Sequence, residues 1–319
     1  MSHIFDALQR AEAEQSGAEQ SGNELSLARQ LLQMTESGAP ALIEVAETPQ
    51  TPEASLAELL PKTLAPAAAE SPTPFQSFGS LPLVLPPNSK LVSITEKDSL
   101  AAEKFRFLAV RLRQLQQTRS LKKLLITSTI AEEGKSMLAA NLACTLARRR
   151  EKRTLLLDGD LRRPTIAKEL GLGRVFGLSE CLQNTVDLTA SIYRLDALGL
   201  WVLPAGSPTQ NPLELMQSAR LSPVIDQLTE WFDWIVIDSP PVLPLADTII
   251  WARLADGILL ATRQGKTEKK QLDRGLQALE KSKLLGAIVN SSTNTAHSDY
   301  YERYQRLPSR NTAKPESKV

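Results

Sequence analysis

Leu124-Leu125-Ile126-Thr127-Ser128-Thr129-Ile130-Ala131-Glu132-Glu133-Gly134-Lys135-Ser136 is an apolar run, a polar turn and a Gly-Lys-Ser triplet, followed by Met137-Leu138-Ala139-Ala140-Asn141-Leu142-Ala143. That order predicts a strand, a tight loop and a helix. Such a loop aims backbone N–H groups and a helix N-terminus at one point, which suits a polyphosphate. Gly134 lets the backbone come close, Lys135 can reach outer phosphates, and the Ser136 hydroxyl can ligate Mg²⁺. The full G-x-x-x-x-G-K-[ST] pattern is not met, because Thr129 holds its first position. The triplet alone therefore decides little.

Two further strands strengthen it. Arg153-Thr154-Leu155-Leu156-Leu157-Asp158-Gly159-Asp160-Leu161-Arg162-Arg163-Pro164 ends an apolar run in two carboxylates and two guanidiniums. Trp234-Ile235-Val236-Ile237-Asp238-Ser239-Pro240-Pro241 ends another in one carboxylate. In a parallel α/β sheet the strand C-termini share one edge, where ligands bind. Asp158, Asp160 and Asp238 should therefore converge on the Lys135–Ser136 loop. One carboxylate can hold a metal through water, and another can accept a proton from an attacking hydroxyl. The structural alternative is that an Asp after a strand caps the next helix.

From Lys122 strands and helices alternate. Strands are expected at 122–127, 153–157, 200–204, 233–238, 257–262 and 285–289. Helices are expected at 135–149, 164–170, 213–230, 245–253 and 267–283. This predicts an α/β fold with a mostly parallel sheet and helices on both faces. A helix over 98–119 should pack Phe105, Leu108, Leu112 and Leu115 on the core. Asn290, at the end of the last strand, can read an adenine edge or simply form a turn.

The chain has 319 residues with a formal net charge of +1, unevenly spread. The first 90 residues carry four basic and eleven acidic side chains, the remainder 33 and 25. Ten of the twenty prolines fall between Pro40 and Pro87. Four regions follow: short helices within 1–35, which form a candidate docking peptide; a disordered Pro/Ala-rich linker over 36–90; a folded domain over 91–296; and a flexible tail over 297–319. Two cysteines suggest no disulfide framework. No signal-peptide pattern is present, since Asp6 and Arg10 interrupt the first apolar cluster, and no run of 18 apolar residues occurs. A cytoplasmic protein with no direct membrane span and no nucleic-acid partner is expected, with room for docking on a membrane partner. The tail holds Tyr300, Tyr301 and Tyr304, three of the chain's four tyrosines, as accessible phosphate acceptors.

These motifs, in this order, resemble the bacterial tyrosine kinases (BY-kinases) of the cytoplasmic CpsD/CapB type, which accompany polysaccharide export. The phosphate loop spans Ser128–Ser136, the second Walker-type motif Leu155–Arg163 and the Walker B strand Trp234–Pro240. Asp158-x-Asp160 with Arg162-Arg163-Pro164 is the most specific feature, supported by Asn211-Pro212-Leu213-Glu214-Leu215 and the tyrosine tail. The resemblance covers about residues 91–306 and implies a P-loop NTPase fold. It further implies an ATP- and Mg²⁺-dependent enzyme that phosphorylates the tyrosine tail of a neighbouring copy, which makes a homo-oligomer by tail exchange. Lys135, Asp158, Asp160 and Asp238 are implied as catalytic, Ser136, Asp158 and Asp238 as metal-holding. Glu133, Gly134, Lys135, Ser136, Met137 and Asn290 are the expected nucleotide contacts. A membrane-bound chain-length regulator is the implied activator, which would place the protein at the inner membrane's periphery.

Two positions depart from the family pattern. Glu132 stands where the loop commonly reads Pro-Gly-Glu-Gly-Lys. The oligomerisation pattern Glu-x-x-Arg-x-x-Arg is met by Glu103 and Arg106, but its third position is Ala109. Two other readings share the motifs: a partitioning ATPase of the MinD/ParA type, whose signature lysine would stand at Ile130, and a weakly catalytic nucleotide-bound scaffold.

Overall fold

The computed structural model describes residues 74–243 and 246–291. The expected N-terminal helices, most of the expected linker, and the tail with Tyr300, Tyr301 and Tyr304 lie outside the described residues.

Eight strands form one sheet: β1 (Gly79–Ser80), β2 (Lys123–Ser128), β3 (Thr154–Asp158), β4 (Tyr193–Leu195), β5 (Leu200–Leu203), β6 (Trp234–Asp238), β7 (Gly257–Arg263) and β8 (Leu284–Asn290), in the order β1-β4-β5-β3-β6-β2-β7-β8. All pairings are parallel except β4 with β5. The central strands are buried on both faces, and alternate residues feed opposite cores. Leu155, Leu157, Ile235 and Ile237 enter one core; Leu156, Trp234 and Val236 enter the other. The six expected strands are present within one residue or two of their expected ends.

The helix Lys135–Ala147 follows the phosphate loop and buries ten of its residues, from Leu138 to Ala147. It lies between the sheet and the helix Leu100–Thr118, which Ser99 caps by accepting the Ala102 N–H at 3.1 Å. Alanines at 139, 140, 143 and 147 permit that close packing. The expected helix over 213–230 is two, Pro212–Met216 and Leu221–Trp231, because the chain turns at 217–220. The last expected helix is shorter, Lys269–Gln277, and a 3₁₀ turn at Lys281–Lys283 leads into β8.

Residues 74–90, expected as the end of the linker, are part of the domain. Phe75 and Phe78 stand edge-to-face 5.3 Å apart and pack on Trp201, Trp231 and Phe232. The Leu81 N–H donates to the Arg194 carbonyl at 3.0 Å. Farther on, the Asn141 side chain joins Lys90 and the short helix Val92–Thr95 to the phosphate-loop helix, donating to Lys90 O and accepting from Ser93 N, both at 3.0 Å. Proline-rich composition masked two aromatic anchors, each worth a large buried area. Among the described residues no helix is long and apolar enough to cross a membrane.

Candidate active site

The carboxyl edge of the sheet gathers the charged residues. Asp158 and Asp238 end adjacent strands in direct register, and Asp238 also lies opposite Ile126 of β2. Lys135 Nζ stands 3.1 Å from Asp160 Oδ2, 3.8 Å from Asp238 Oδ1 and 3.1 Å from Ser136 Oγ. The structure thus brings together Lys135, Ser136, Asp158, Asp160 and Asp238, as the strand order required.

The loop before Lys135 is shaped by two left-handed residues. Gly134 has φ 90° and leads directly into the helix. A Cβ there would lie 2.2 Å from Asn290 Nδ2, so only glycine fits beneath that amide. Glu132 has φ 64°, a conformation that glycine adopts freely, which accounts for the family's usual residue at this point. Its side chain points away from the loop's inner face and pairs with Lys266 at 2.7 Å; that ammonium holds the Glu132 carboxyl below its ordinary value.

The side chain of Glu133, one of the expected nucleotide contacts, is turned inward, which leaves its backbone to face the loop's ligand. It is fully buried, accepts the Ile130 N–H at 2.8 Å, and accepts the Thr267 hydroxyl. Asn290 donates to the Glu133 carbonyl at 3.0 Å and accepts from Ser291 N at 2.9 Å. One amide hydrogen and one lone pair thus shape the loop and the turn after β8, and the second of each lies outside these two bonds. Met137 sits beneath the same glycine.

The three carboxylates differ. Asp158 is fully buried and accepts from the backbone N–H groups of Asp160, Thr165 and Ile166 at 3.2, 3.1 and 3.0 Å. It holds the loop and the helix Ile166–Glu169 that follows, so the helix-capping alternative is met in geometry. Asp160 accepts the Arg163 N–H at 3.0 Å on one oxygen and Lys135 on the other. Asp238 is buried with no hydrogen-bond partner for either oxygen among the described residues. Burial, then the charge of Asp238, push Asp158 up to about 8. Burial likewise pushes Asp238 up to about 6, although Lys135 opposes it. For Lys135 burial alone would lower the pKa, but Asp238 and Asp160 outweigh it and leave it raised.

Sequence reasoning missed the residues that brace the second loop. Gly159 N–H donates to Asp238 O at 2.7 Å, and Trp251 Nε1 donates to Gly159 O at 3.0 Å. Arg162 forks onto the buried Asp247 at 2.6 and 3.0 Å. Asp247 and Trp251 lie one turn apart on the helix Asp247–Leu254, and an acid in a first helical turn carries no signal of such a role. Glu103 and Arg106 form an ion pair on the helix Leu100–Thr118, whereas Ala109 is fully buried, so no arginine could stand there facing solvent.

A doubly covered parallel sheet with a Gly-Lys-Ser loop at its carboxyl edge defines a P-loop nucleotide-binding domain. The family model of the CobQ/CobB/MinD/ParA nucleotide-binding domain matches residues 124–312. Tyrosine-protein kinase YwqD of Bacillus subtilis (strain 168) is 35% identical over 212 residues, 66% of this chain and 89% of that protein. Tyrosine-protein kinase CpsD of Streptococcus agalactiae serotype III is 33% identical over 187 residues, 58% of this chain and 80% of that one. The kinase domain of the Escherichia coli tyrosine kinase ETK superposes with a TM-score of 0.60 at 26% identity, covering 63% of this chain and 79% of its own. The chain belongs to the bacterial tyrosine-protein kinases, a P-loop family.

Proposed function

We propose that the chain is an ATP- and Mg²⁺-dependent autokinase that acts on the tyrosines of its own tail and thereby regulates exopolysaccharide polymerisation and export. The observation that carries the reading is the meeting of Lys135, Asp160 and Asp238 at one sheet edge beside a left-handed Gly134. Nucleotide phosphates fit the loop amides and Lys135. A metal fits Ser136 and Asp238: both Asp238 oxygens are buried without a close hydrogen bond, Lys135 standing 3.8 Å from one of them, and a hydrated cation would satisfy them. No cluster of three potential ligand side chains occurs among the described residues, so the ion would take phosphate and water as its remaining ligands. Bound Mg²⁺ supplies charge neutralisation between the outer phosphates.

Asp160 takes the proton of the attacking tyrosine, because its carboxylate meets Lys135 of the phosphate loop while that of Asp158 is enclosed by backbone N–H groups. Asp158 serves the chemistry by fixing the loop that carries Asp160. Tyr300, Tyr301 and Tyr304 are the acceptors, supplied to a neighbouring copy. Each phosphate adds about −1.5 to −2 charge, which would repel the neighbour's acidic site and loosen the assembly. Glu103 and Arg106 contribute to that assembly, and a membrane-bound chain-length regulator is the activator, which places the protein at the membrane periphery.

The test is phosphorylation of the full chain with ATP and Mg²⁺. Asp160→Asn should slow transfer by about 10²–10⁴-fold while keeping nucleotide affinity. The triple Tyr→Phe change at 300, 301 and 304 should remove most phosphotyrosine. Phosphate found mainly on Tyr193, which lies in β4 with a half-buried ring, would contradict the tail assignment.

A further inference from the structure

The sheet edge opposite the site, where the strands begin, is crowded with cations. The helices that precede the strands end there, and basic residues at helix C-termini complement the backbone dipole. Most of these cations are used in that way or are neutralised. Lys122 Nζ donates to Thr229 O at 2.9 Å, Arg119 to Asp256 O at 2.7 Å and Lys283 to Arg253 O at 2.8 Å. Lys123 pairs with Asp256 at 3.0 Å and Lys152 with Asp233 at 3.2 Å.

One run differs. Arg148, Arg149 and Arg150 directly follow the phosphate-loop helix Lys135–Ala147, and all three are exposed. Among the described residues none of their guanidiniums pairs with a carboxylate or a carbonyl. The turn that carries them is fixed by its own backbone, the Arg149 N–H donating to Leu146 O at 3.3 Å and the Lys152 N–H to Arg149 O at 2.9 Å. Glu151 is the one acid within the run, and it is exposed. Asp233, just before β6, already gives its oxygens to Lys152 and to the Arg153 N–H. From the helix Leu100–Thr118, Arg113 adds to the charge: burial, and then the Arg149 charge, hold its guanidinium below its ordinary value. Like charges therefore stand together here without the internal partners that the rest of the edge has.

The surroundings of the run select its anion. Arg153 continues it and lies over the Phe75 ring at 4.5 Å. Phe75 packs on Trp201 at 5.6 Å, and Phe78 on Trp231 at 5.8 Å. Phe75, Trp201 and Trp231 are each half-buried, so rings reach the surface near the cations. Guanidiniums flanked by rings with one wet edge suit the headgroup layer of a bilayer, where lipid phosphates and an apolar boundary lie side by side. An acidic protein segment would use the guanidiniums alone.

We propose that Arg148, Arg149 and Arg150, with Arg113 and Arg153 on their flanks, form a docking face for an anionic bilayer surface. Docked in this way, the protein turns its carboxyl edge away from the bilayer. That edge carries Lys135, Asp160 and the end of β8 at Asn290, from which the tyrosine tail continues. The contact neither uses nor requires the kinase site. Attachment through so few charges is reversible and weakens with salt.

The experiment is sedimentation of the full chain with vesicles of phosphatidylcholine alone, and with vesicles of phosphatidylcholine and phosphatidylglycerol in equal parts. The wild type should bind the anionic vesicles and not the neutral ones, and salt should release it. Changing Arg148, Arg149 and Arg150 together to Gln should weaken binding by about 10²-fold, roughly fivefold for each arginine removed. This variant should keep its melting temperature and its autophosphorylation in solution, because none of the three residues touches the site. If it fails to fold, Arg149→Gln alone should show the loss of about fivefold. A control removes the same charge elsewhere: Lys269→Gln, Lys270→Gln and Arg274→Gln, all exposed on the helix Lys269–Gln277, should bind nearly as the wild type does. A wild type that ignores anionic vesicles, or equal losses in the two triple variants, overturns the proposal. Tighter binding to duplex DNA or to polyglutamate than to the vesicles at the same salt would assign the face to another polyanion and overturn it as well. Vesicle binding by a wild type that does not phosphorylate itself would remove the kinase reading and leave the docking face standing.

Discussion

The two loops that frame the site are braced by different neighbours. The phosphate loop, Ser128–Ser136, bonds to itself, with Glu133 on Ile130 and Ser128 Oγ donating to Ile130 O at 2.7 Å, and leans on the segments around β7 and β8, through Thr267 and Asn290 on Glu133 and Lys266 on Glu132. The loop Asp158–Arg163 also bonds to itself, with Asp158 accepting the Asp160 N–H and Asp160 the Arg163 N–H, and leans on the other side of the site, on Trp251, Asp247 and the β6 backbone. A loop braced by neighbouring elements takes their position as its own, so the groups of the two loops are aimed by different parts of the fold. Asp160 lies at the join, with one oxygen on its own loop and the other on Lys135 of the first.

The largest effect should come from the residue shared by both loops. Lys135→Met removes the cation between Asp160 and Asp238 and the contact to the outer phosphates. Autophosphorylation should be abolished while the sheet stays folded, as judged by circular dichroism and thermal melting. Wild-type phosphorylation in a folded Lys135→Met protein would show that the first loop does not serve the chemistry.

The second loop should break through packing. A Cβ on Gly159 would meet Trp251 at 2.7 Å and the Asp238 carbonyl at 2.8 Å, and the carbonyl cannot move without disturbing β6. Gly159→Ala should cost about 1–3 kcal/mol in denaturant unfolding, as overpacking does, and should displace Asp160. A neutral Gly159→Ala would mean that the loop is free of the helix Asp247–Leu254, and the contrast between the two loops would fail.

That contrast also explains what could be read beforehand. The parallel sheet was legible because β2, β3 and β6 are unbroken apolar runs, and buried strands of this kind need no partner to be recognised. The convergence of Asp158, Asp160 and Asp238 followed from strand polarity alone. Asp247 and Trp251 were not legible, because their roles depend on a contact across the sheet edge between residues far apart in sequence. The inward turn of the Glu133 side chain was not legible either, because a charged residue in a phosphate loop gives no sign of its burial. β1 and β4 are two and three residues long, too short for a period of two to show.

The buried carboxylates give a smaller effect with a definite sign. Asp158 and Asp238 are raised to about 8 and about 6, above an unfolded Asp near ~3.9. Between those limits the native state binds more protons than the unfolded state, so stability falls as pH rises. The nucleotide-free protein should melt at a lower temperature at about pH 8 than at about pH 5.5. Asp238→Asn removes one charge of the pair and should flatten the slope. A melting temperature that climbs across this range would show that backbone donors and Lys135 outweigh burial at this edge.

The smallest effect is expected on the outer side of the phosphate loop. Glu132 occupies a left-handed backbone at φ 64°, which a glycine would adopt without strain. Against that relief stands the loss of the pair with Lys266, whose Glu132 partner is 80% exposed and therefore well screened. The two changes oppose each other, so Glu132→Gly should alter stability little. Nucleotide affinity should be at or above the wild-type level, because the loop amides are unchanged and one negative charge near the triphosphate is gone. Titration of ATP at low and high salt checks this, since any gain from the removed charge should shrink as salt rises. Markedly weaker binding by Glu132→Gly would show that the Lys266 pair is needed to keep the first loop in its binding form.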